Sequence, residues 1–399
     1  MPLRPLTGMR VVDVTTSIAG PYCAETLAAL GADVVKVERP DTGDDGRAWG
    51  PPFWNGEGAM FLAVNAGKRS LAISLSDERG REAVLRLADR ADVFLQSLRP
   101  GLAEQLGLGA VALRERNARL VYCTIGAYGR VGPLAEEPGY DALMQAAGGL
   151  ISMTGEPDRP GVRVGSSLID MGTGMWAALG IAAALLERER TGNGTTVDTS
   201  LYETALGYIG YHLVGYLADG TIPSGQGTVF PMVAPYQVFP TRDGELMVAG
   251  GNDRLFALLC GVLELPELVD DARFRTNPDR VANRAELVEL VSGRLRERDT
   301  AEWHERLSAA GVPAAPVADV ADVANAAQTQ ALGFLQPVEH AAIPGLQLPA
   351  LPLSFEGTRA THASAPPAVG EHSAEVLAEV GYSGAEIAAL VRDGVIRTR

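Results

Sequence analysis

One carboxylate stands alone among apolar and small residues in Val164-Gly165-Ser166-Ser167-Leu168-Ile169-Asp170-Met171-Gly172-Thr173-Gly174-Met175-Trp176. Behind Asp170 the run Met171–Leu186 is almost wholly apolar or small. It is shorter than the ~20 apolar residues that a bilayer span needs, and it reads as a buried helix in a large core. Asp170 then falls at the helix N-terminus, where unpaired N–H groups and the dipole favour an anion. Gly172 and Gly174 leave the first turn bare, so another group can approach the backbone closely. Such an aspartate is either an ordinary N-cap, which is the commoner device, or a catalytic carboxylate. The rest of the chain favours catalysis.

The elements that must position Asp170 alternate. Met9–Val14 is a β-branched run and predicts a buried strand; a helical pattern to Leu30, the turn Gly31-Ala32 and a second strand Asp33–Glu38 complete a βαβ unit. Neither a G-x-G-x-x-G loop nor a P-loop is present, because Gly67-Lys68-Arg69-Ser70 lacks the earlier glycine. Strands at Ser70–Leu75, Asp92–Gln96 and Leu120–Ile125 follow, separated by helices at Asp77–Ala88 and Gly109–Asn117. This alternation predicts a mostly parallel, doubly wound α/β sheet with ligands at the carboxyl ends of its strands. The loops there hold Ser17-Ile18-Ala19, Arg39, Ser97-Leu98-Arg99 and Gly126–Gly129, and Arg39–Gly58 reads as a long surface loop.

Past Leu217 the texture changes. The division expected is a large α/β domain over 1–217, a Gly/Pro-rich linker over 218–234, a small α+β domain over 235–330, and a return segment with C-terminal helices over 331–399. The small domain opens with a hairpin, Tyr236–Pro240 and Glu245–Val248, and continues through Gly250-Gly251-Asn252-Asp253 into helices.

The 399 residues exceed what one simple core holds. A hydrophobic content of 46% with 21% charged residues is that of a soluble globular protein, and a formal charge of −15 argues against a nucleic-acid partner. Cys23, Cys123 and Cys260 are widely spaced and read as reduced thiols in a cytoplasmic protein. The five histidines show no metal-ligand spacing, and no signal peptide is evident at Met1–Pro5.

A series of motifs runs through nearly the whole chain: Ala19-Gly20-Pro21, Leu30–Glu38, Trp49-Gly50-Pro51-Pro52-Phe53, Gly67-Lys68-Arg69-Ser70, Gly139-Tyr140-Asp141-Ala142, Asp170–Gly174 and Thr191-Gly192-Asn193-Gly194. In this order the chain resembles the class III CoA-transferases, which include formyl-CoA transferase and α-methylacyl-CoA racemase. Tyr140-Asp141-Ala142 and Pro235-Tyr236-Gln237 look most like the branch that moves CoA between dicarboxylates.

The resemblance implies that Asp170 is the catalytic nucleophile. It would form an aspartyl anhydride with the donor acyl group and then an aspartyl-CoA thioester. Gly250 and Gly251 match the family's glycine loop and would supply N–H donors to the acyl oxyanion. Arg39, Lys68, Ser97 and Arg99, together with Tyr140 and Asp141, match positions at or near bound CoA, the basic ones standing in loops open to solvent. Ile18 and Arg163 would face the substrate acid, Ile18 lying along its methylene chain and Arg163 taking a distal carboxylate. No permanently bound cofactor is implied, only a CoA thioester as substrate. The partners implied are an acyl-CoA such as succinyl-CoA, a small acid and a second copy of the chain in an interlocked homodimer, with no membrane and no nucleic acid.

Two other readings stand beside this one. An acyl-CoA racemase on the same fold is disfavoured because Tyr140 stands where racemases carry a histidine base. A non-catalytic CoA-binding protein would leave Asp170 without a task. Three departures from the family bear on the substrate: Ile18 where formyl-CoA transferase has glutamine, Gln105 in place of a CoA-binding arginine, and Phe230 where the dicarboxylate branch commonly has histidine.

Overall fold

The computed structural model describes residues 3–399. Its backbone divides into two compact units. The large one is built from residues up to Leu150, from Arg163–Gly220 and from Gln328–Arg399; the small one from Ile151–Val162 and Thr221–Ala327. The stretch expected to be a linker therefore belongs mostly to the small unit, where Gly227 donates its N–H to the Gly155 carbonyl at 2.7 Å.

The large unit is organised by one seven-stranded sheet. Its strands are β1 (Arg10–Val14), β2 (Asp33–Glu38), β3 (Lys68–Ile73), β4 (Val93–Gln96), β5 (Val121–Gly126) and β6 (Thr196–Ser200), all parallel, with a last short strand Ile396–Arg397 antiparallel to β3. From that strand inward the order is β3-β2-β1-β4-β5-β6. This is the Rossmann-type arrangement, with its reversal between β1 and β4. The strands can be this apolar because helices cover both faces. In β1, Val11, Val12 and Val14 are all buried, and each such side chain contributes ~1.5–3 kcal/mol relative to exposure.

Among the helices of the large unit are α1 (Ala19–Ala29), α2 (Glu78–Ala88), α3 (Asp141–Ala147), α4 (Leu168–Thr191), α5 (Leu201–Tyr208) and α6 (Gly210–Asp219). Asp77 caps α2 by accepting the N–H of Arg79, as its position before the helical pattern predicts. α4 is 24 residues long, so the sequence argument that it is too short to cross a bilayer does not hold for the observed helix. Half of its most apolar window is buried inside this chain. It packs on α1 at Gly174, where a Cβ would lie 2.5 Å from the Ala19 carbonyl oxygen, and on α5 at Gly172, where a Cβ would lie 1.8 Å from the Tyr208 hydroxyl. The two bare positions thus admit the protein's own helices.

The small unit is a three-stranded antiparallel sheet of β7 (Tyr236–Pro240), β8 (Glu245–Ala249) and β9 (Ala314–Pro316), with β8 central. Helices α7 (Asp253–Val262), α8 (Arg284–Leu295) and α9 (Thr300–Ala309) cover it. Its core holds Phe239, Leu246, Phe256, Phe274 and Trp303. The Trp303 indole N–H is satisfied by the Leu295 carbonyl at 2.7 Å, as a buried polar group requires.

Candidate active site

Asp170 is the third residue of α4, in the helix's first turn and not its N-cap. Ser167, at the cap position, gives no side-chain hydrogen bond. The cap comes from another helix. Asp141 Oδ2 accepts the N–H of Ile169 at 2.8 Å and that of Asp170 at 3.2 Å. Two of the helix's orphan donors are thereby satisfied. Gln145 secures the arrangement, donating from Nε2 to Asp141 Oδ1 at 2.6 Å and accepting the Val164 N–H at 2.8 Å. Asp141, expected at CoA, is buried and faces the helix start.

The Asp170 carboxylate itself meets no donor among the described residues. Burial pushes its pKa up to about 7, with the Asp141 carboxylate adding to the shift. Desolvation and a like charge thus act against the ionised form that the helix terminus favours. Deeper in the helix, Thr173 bonds Thr204 at 2.8 Å, and Thr204 donates to the Ser200 carbonyl at 3.0 Å, so α4 is tied to the end of β6.

The loops at the sheet reversal also meet. Thr16, after β1, donates its N–H to Ser97 Oγ, after β4, at 3.3 Å. Ser17 has a left-handed backbone, with φ of 74°, and donates its N–H to Asp44 Oδ1 at 3.1 Å. Asp44 is held by an ion pair with Lys36 at 2.6 Å, and Lys36 also donates to the Thr15 carbonyl at 3.0 Å. Ile18 therefore leads into α1 from a fixed turn. The Arg39–Gly58 segment, expected to be a surface loop, is anchored at Asp44 and at Arg47, whose guanidinium pairs with Glu38 at 2.9 Å and is buried. Arg39 is exposed and pairs with Asp45. Arg99 is exposed and has no charged partner among the described residues.

Lys68 is not in an open loop. It begins β3 and is fully buried, its ammonium bonded to Asp13 at 3.1 Å, Asn65 at 2.8 Å and the Pro21 carbonyl at 2.9 Å. No room remains there for a CoA phosphate. Burial lowers its pKa, and Lys36 adds to this against the pull of Asp13. Asp13 goes the other way: burial would raise its carboxyl, but Lys68 and Lys36 hold it below the usual range. Sequence reasoning missed this cluster. The sign that pointed to it was a charge inside each of two apolar parallel strands, Asp13 and Lys36, which neighbour each other in register.

Tyr140 is 61% exposed at the cap position of α3. Arg163 is exposed and donates to the carbonyls of Val164 and Gly165 at 3.2 and 3.4 Å. In the small unit, Gly250 and Gly251 lie between β8 and α7. The N–H of Gly250 is committed to the Pro235 carbonyl at 3.0 Å, so the pair is not the doubly bare donor that its sequence suggests.

The family model described as CoA-transferase family III matches residues 6–373. The chain belongs to that family. As a family III CoA-transferase it is 38% identical over 395 residues to a succinyl-CoA:glutarate CoA-transferase of Mus musculus, covering 99% of this chain and 91% of the relative. It is 37% identical to a succinate–glutarate CoA-transferase of Agrobacterium fabrum, covering 94% of this chain and 96% of that one. A crystal structure of a CaiB/BaiF family protein from Brucella suis superposes with a TM-score of 0.85 at 39% identity, covering 94% of this chain and 99% of that one.

Proposed function

We propose that this CoA-transferase moves CoA between small dicarboxylates, with succinyl-CoA as donor and Asp170 as nucleophile. The observation that carries the assignment of Asp170 is its carboxylate: partly buried, without a donor among the described residues, and with its pKa raised to about 7. Near neutral pH a large fraction is ionised, and the partly buried anion is less solvated than one in water, which favours it as a nucleophile. The dicarboxylate reading is supported by the names of the relatives from Mus musculus and Agrobacterium fabrum.

The reaction divides into four acyl substitutions. The Asp170 carboxylate attacks the donor thioester carbon; the C–S bond breaks and CoA leaves as thiolate, giving a mixed anhydride. The thiolate attacks the aspartyl carbon and expels the donor acid, giving an aspartyl-CoA thioester. The acceptor carboxylate then repeats the first step on that thioester, and the thiolate attacks the acceptor's acyl carbon, releasing the new CoA thioester and free Asp170. No net proton is consumed.

In this reading Arg39, Ser97 and Arg99 meet CoA at the sheet reversal, with Tyr140 beside the acyl group. Ile18 lies along the methylene chain and Arg163 takes the distal carboxylate. The functional unit is a homodimer. Support for a second copy comes from α4 and α6: Trp176 and Leu179 are 53% and 59% exposed on α4, and α6 has no buried residue.

Incubation with succinyl-CoA and a hydroxylamine or borohydride quench, followed by peptide mass analysis, tests the nucleophile: modification is expected at Asp170 and nowhere else. Kinetics with glutarate against the monocarboxylate of equal length tests the acceptor; equal specificity constants overturn the dicarboxylate reading and leave CoA transfer intact. Mixing tagged and untagged protein under native conditions tests the interlocked dimer, which predicts no mixed species after a day.

A further inference from the structure

Two helices begin at one edge of the large sheet. α1 follows β1 and crosses back towards the start of β2, so its first residue, Ala19, stands at the carboxyl end of β1. α4 runs the same way. Near its far end Arg188 reaches Met9 Sδ at 3.3 Å and Asp92 at 2.9 Å, the residues just before β1 and β4. The two helix starts touch where Gly174 packs on the Ala19 carbonyl. Asp170 lies one turn before Gly174 on the same face of α4. The residues that lead into α1, Thr15 to Ile18, therefore stand at the edge where Asp170 stands, and both belong to the large unit.

That lead-in is held in a conformation it would not keep alone. Ser17 is half-buried and has φ of 74°, in the left-handed region where a residue with a Cβ is strained. Asp44 holds it there. The Asp44 carboxylate is fully buried: Oδ1 accepts the N–H of Ser17 at 3.1 Å and that of Gly46 at 2.9 Å, while Oδ2 pairs with Lys36 at 2.6 Å. Asp44 is itself fixed, donating its own N–H to Glu38 Oε2 at 3.0 Å, at the end of β2. Lys36 completes the clamp by donating to the Thr15 carbonyl at 3.0 Å. The Thr15 side chain fills the space over Gly20, where a Cβ would meet it at 2.2 Å. Strained backbone persists only where its surroundings over-determine it, and such strain gathers at active sites.

We propose that Asp44 is a positioning residue for CoA transfer: by accepting the Ser17 N–H it locks Ser17 in the left-handed region and fixes the start of α1 as the wall beside which Asp170 meets the thioester carbon. This rests on the reading of Asp170 as nucleophile. Asp44 touches no substrate. It acts through one turn of backbone, and a wall displaced by an ångström costs rate more than it costs binding.

The test uses full-length protein with succinyl-CoA as donor and glutarate as acceptor. Asp44→Ala removes the acceptor of the Ser17 N–H. Its kcat is expected to fall about tenfold, with KM for succinyl-CoA within about threefold of wild type, in protein that circular dichroism shows to be folded. Wild-type kcat in folded Asp44→Ala overturns the proposal, and so does a rise in KM at unchanged kcat. Adding Ser17→Gly to Asp44→Ala is the decisive step, because glycine takes φ of 74° without strain and no longer needs the clamp. Most of the lost kcat is expected to return; no recovery overturns the proposal, since a merely structural role of Asp44 would not be rescued at Ser17. Asp44→Ala also leaves Lys36 buried with one partner fewer. Should it not fold, Ser17→Val against Ser17→Gly decides: both leave the buried charges in place, and only valine resists the left-handed backbone. A kcat about fivefold or more lower in the valine variant is expected, and equal kcat in the two overturns the proposal. Peptide mass analysis of quenched wild-type protein reports separately on the underlying reading. An unmodified Asp170 removes the nucleophile itself, whereas a modified Asp170 with kcat indifferent to Asp44 and Ser17 removes only the role of Asp44.

Discussion

Asp141 Oδ2 and the backbone N–H of Asp170 are hydrogen-bonded at 3.2 Å, so two carboxylates share the first turn of one helix, one as its cap and the other with no donor of its own. The cap holds the backbone while its charge presses on the neighbour.

Asp170 is destabilising where it is ionised. Its folded pKa, about 7, lies above the ordinary 3.8, so the folded state holds the proton more tightly than the unfolded chain does. The stability this contributes is complete below about pH 4 and is lost as pH rises through 7. Asp170→Asn should therefore abolish transfer and, at pH 8, be more stable than wild type by on the order of 2–4 kcal/mol. At pH 4 the two should melt alike. Denaturation at both pH values checks this; an Asn variant less stable than wild type at pH 8 would show that the carboxylate is held by donors.

The same group sets the pH profile. Because the nucleophile is the anion, kcat/KM for wild type should rise with pH through a midpoint near 7. Asp141→Asn removes the second cause of the shift and leaves the first, burial. Its midpoint should move below 7 yet stay above the usual aspartate range, and one amide oxygen remains to cap the helix. An unmoved midpoint would mean that the charge on Asp141 does not act on Asp170.

Lys68 should prove structural. Lys68→Met leaves Asp13 buried without its partner, and breaking a buried pair from one side costs ~3–5 kcal/mol. Urea unfolding should show that loss, and the folded protein should keep the wild-type KM for succinyl-CoA. A large rise in KM at unchanged stability would return Lys68 to the ligand.

The long strands and helices of both units were legible in the sequence because each is a run with its own period and its own breakers; the short strand Ala314–Pro316 and the short helix Ala59–Ala63 were not. α2 begins after Asp77 and the small-unit hairpin turns at Thr241–Gly244, as local residues dictate. What was not legible was pairing at a distance. Asp13 and Lys68 are 55 positions apart, and Asp141 reaches its target across 29. Lys68 beside Gly67 and Arg69 reads as an exposed basic loop until β3 is laid against β2 and its first residue is found beneath the sheet's rim. Ile396–Arg397 was missed as well, since two residues carry no period. Asp170 itself was legible as an odd charge on an apolar helix. Its protonation was not, because that depends on what surrounds it.

The short strand at Ile396–Arg397 has a bearing on biosynthesis. It closes the edge of β3, with Ile396 opposite Ile73, more than three hundred residues after β3 has left the ribosome. Until then the nascent large unit carries an open apolar edge, a template for pairing with other chains. The helices Ser373–Glu379 and Gly384–Arg392, which complete the same core, are equally late. The edge of the sheet at β3 is thus sealed only by residues made more than three hundred positions later, and a ribosome stalled before them holds a chain whose β3 edge is still open.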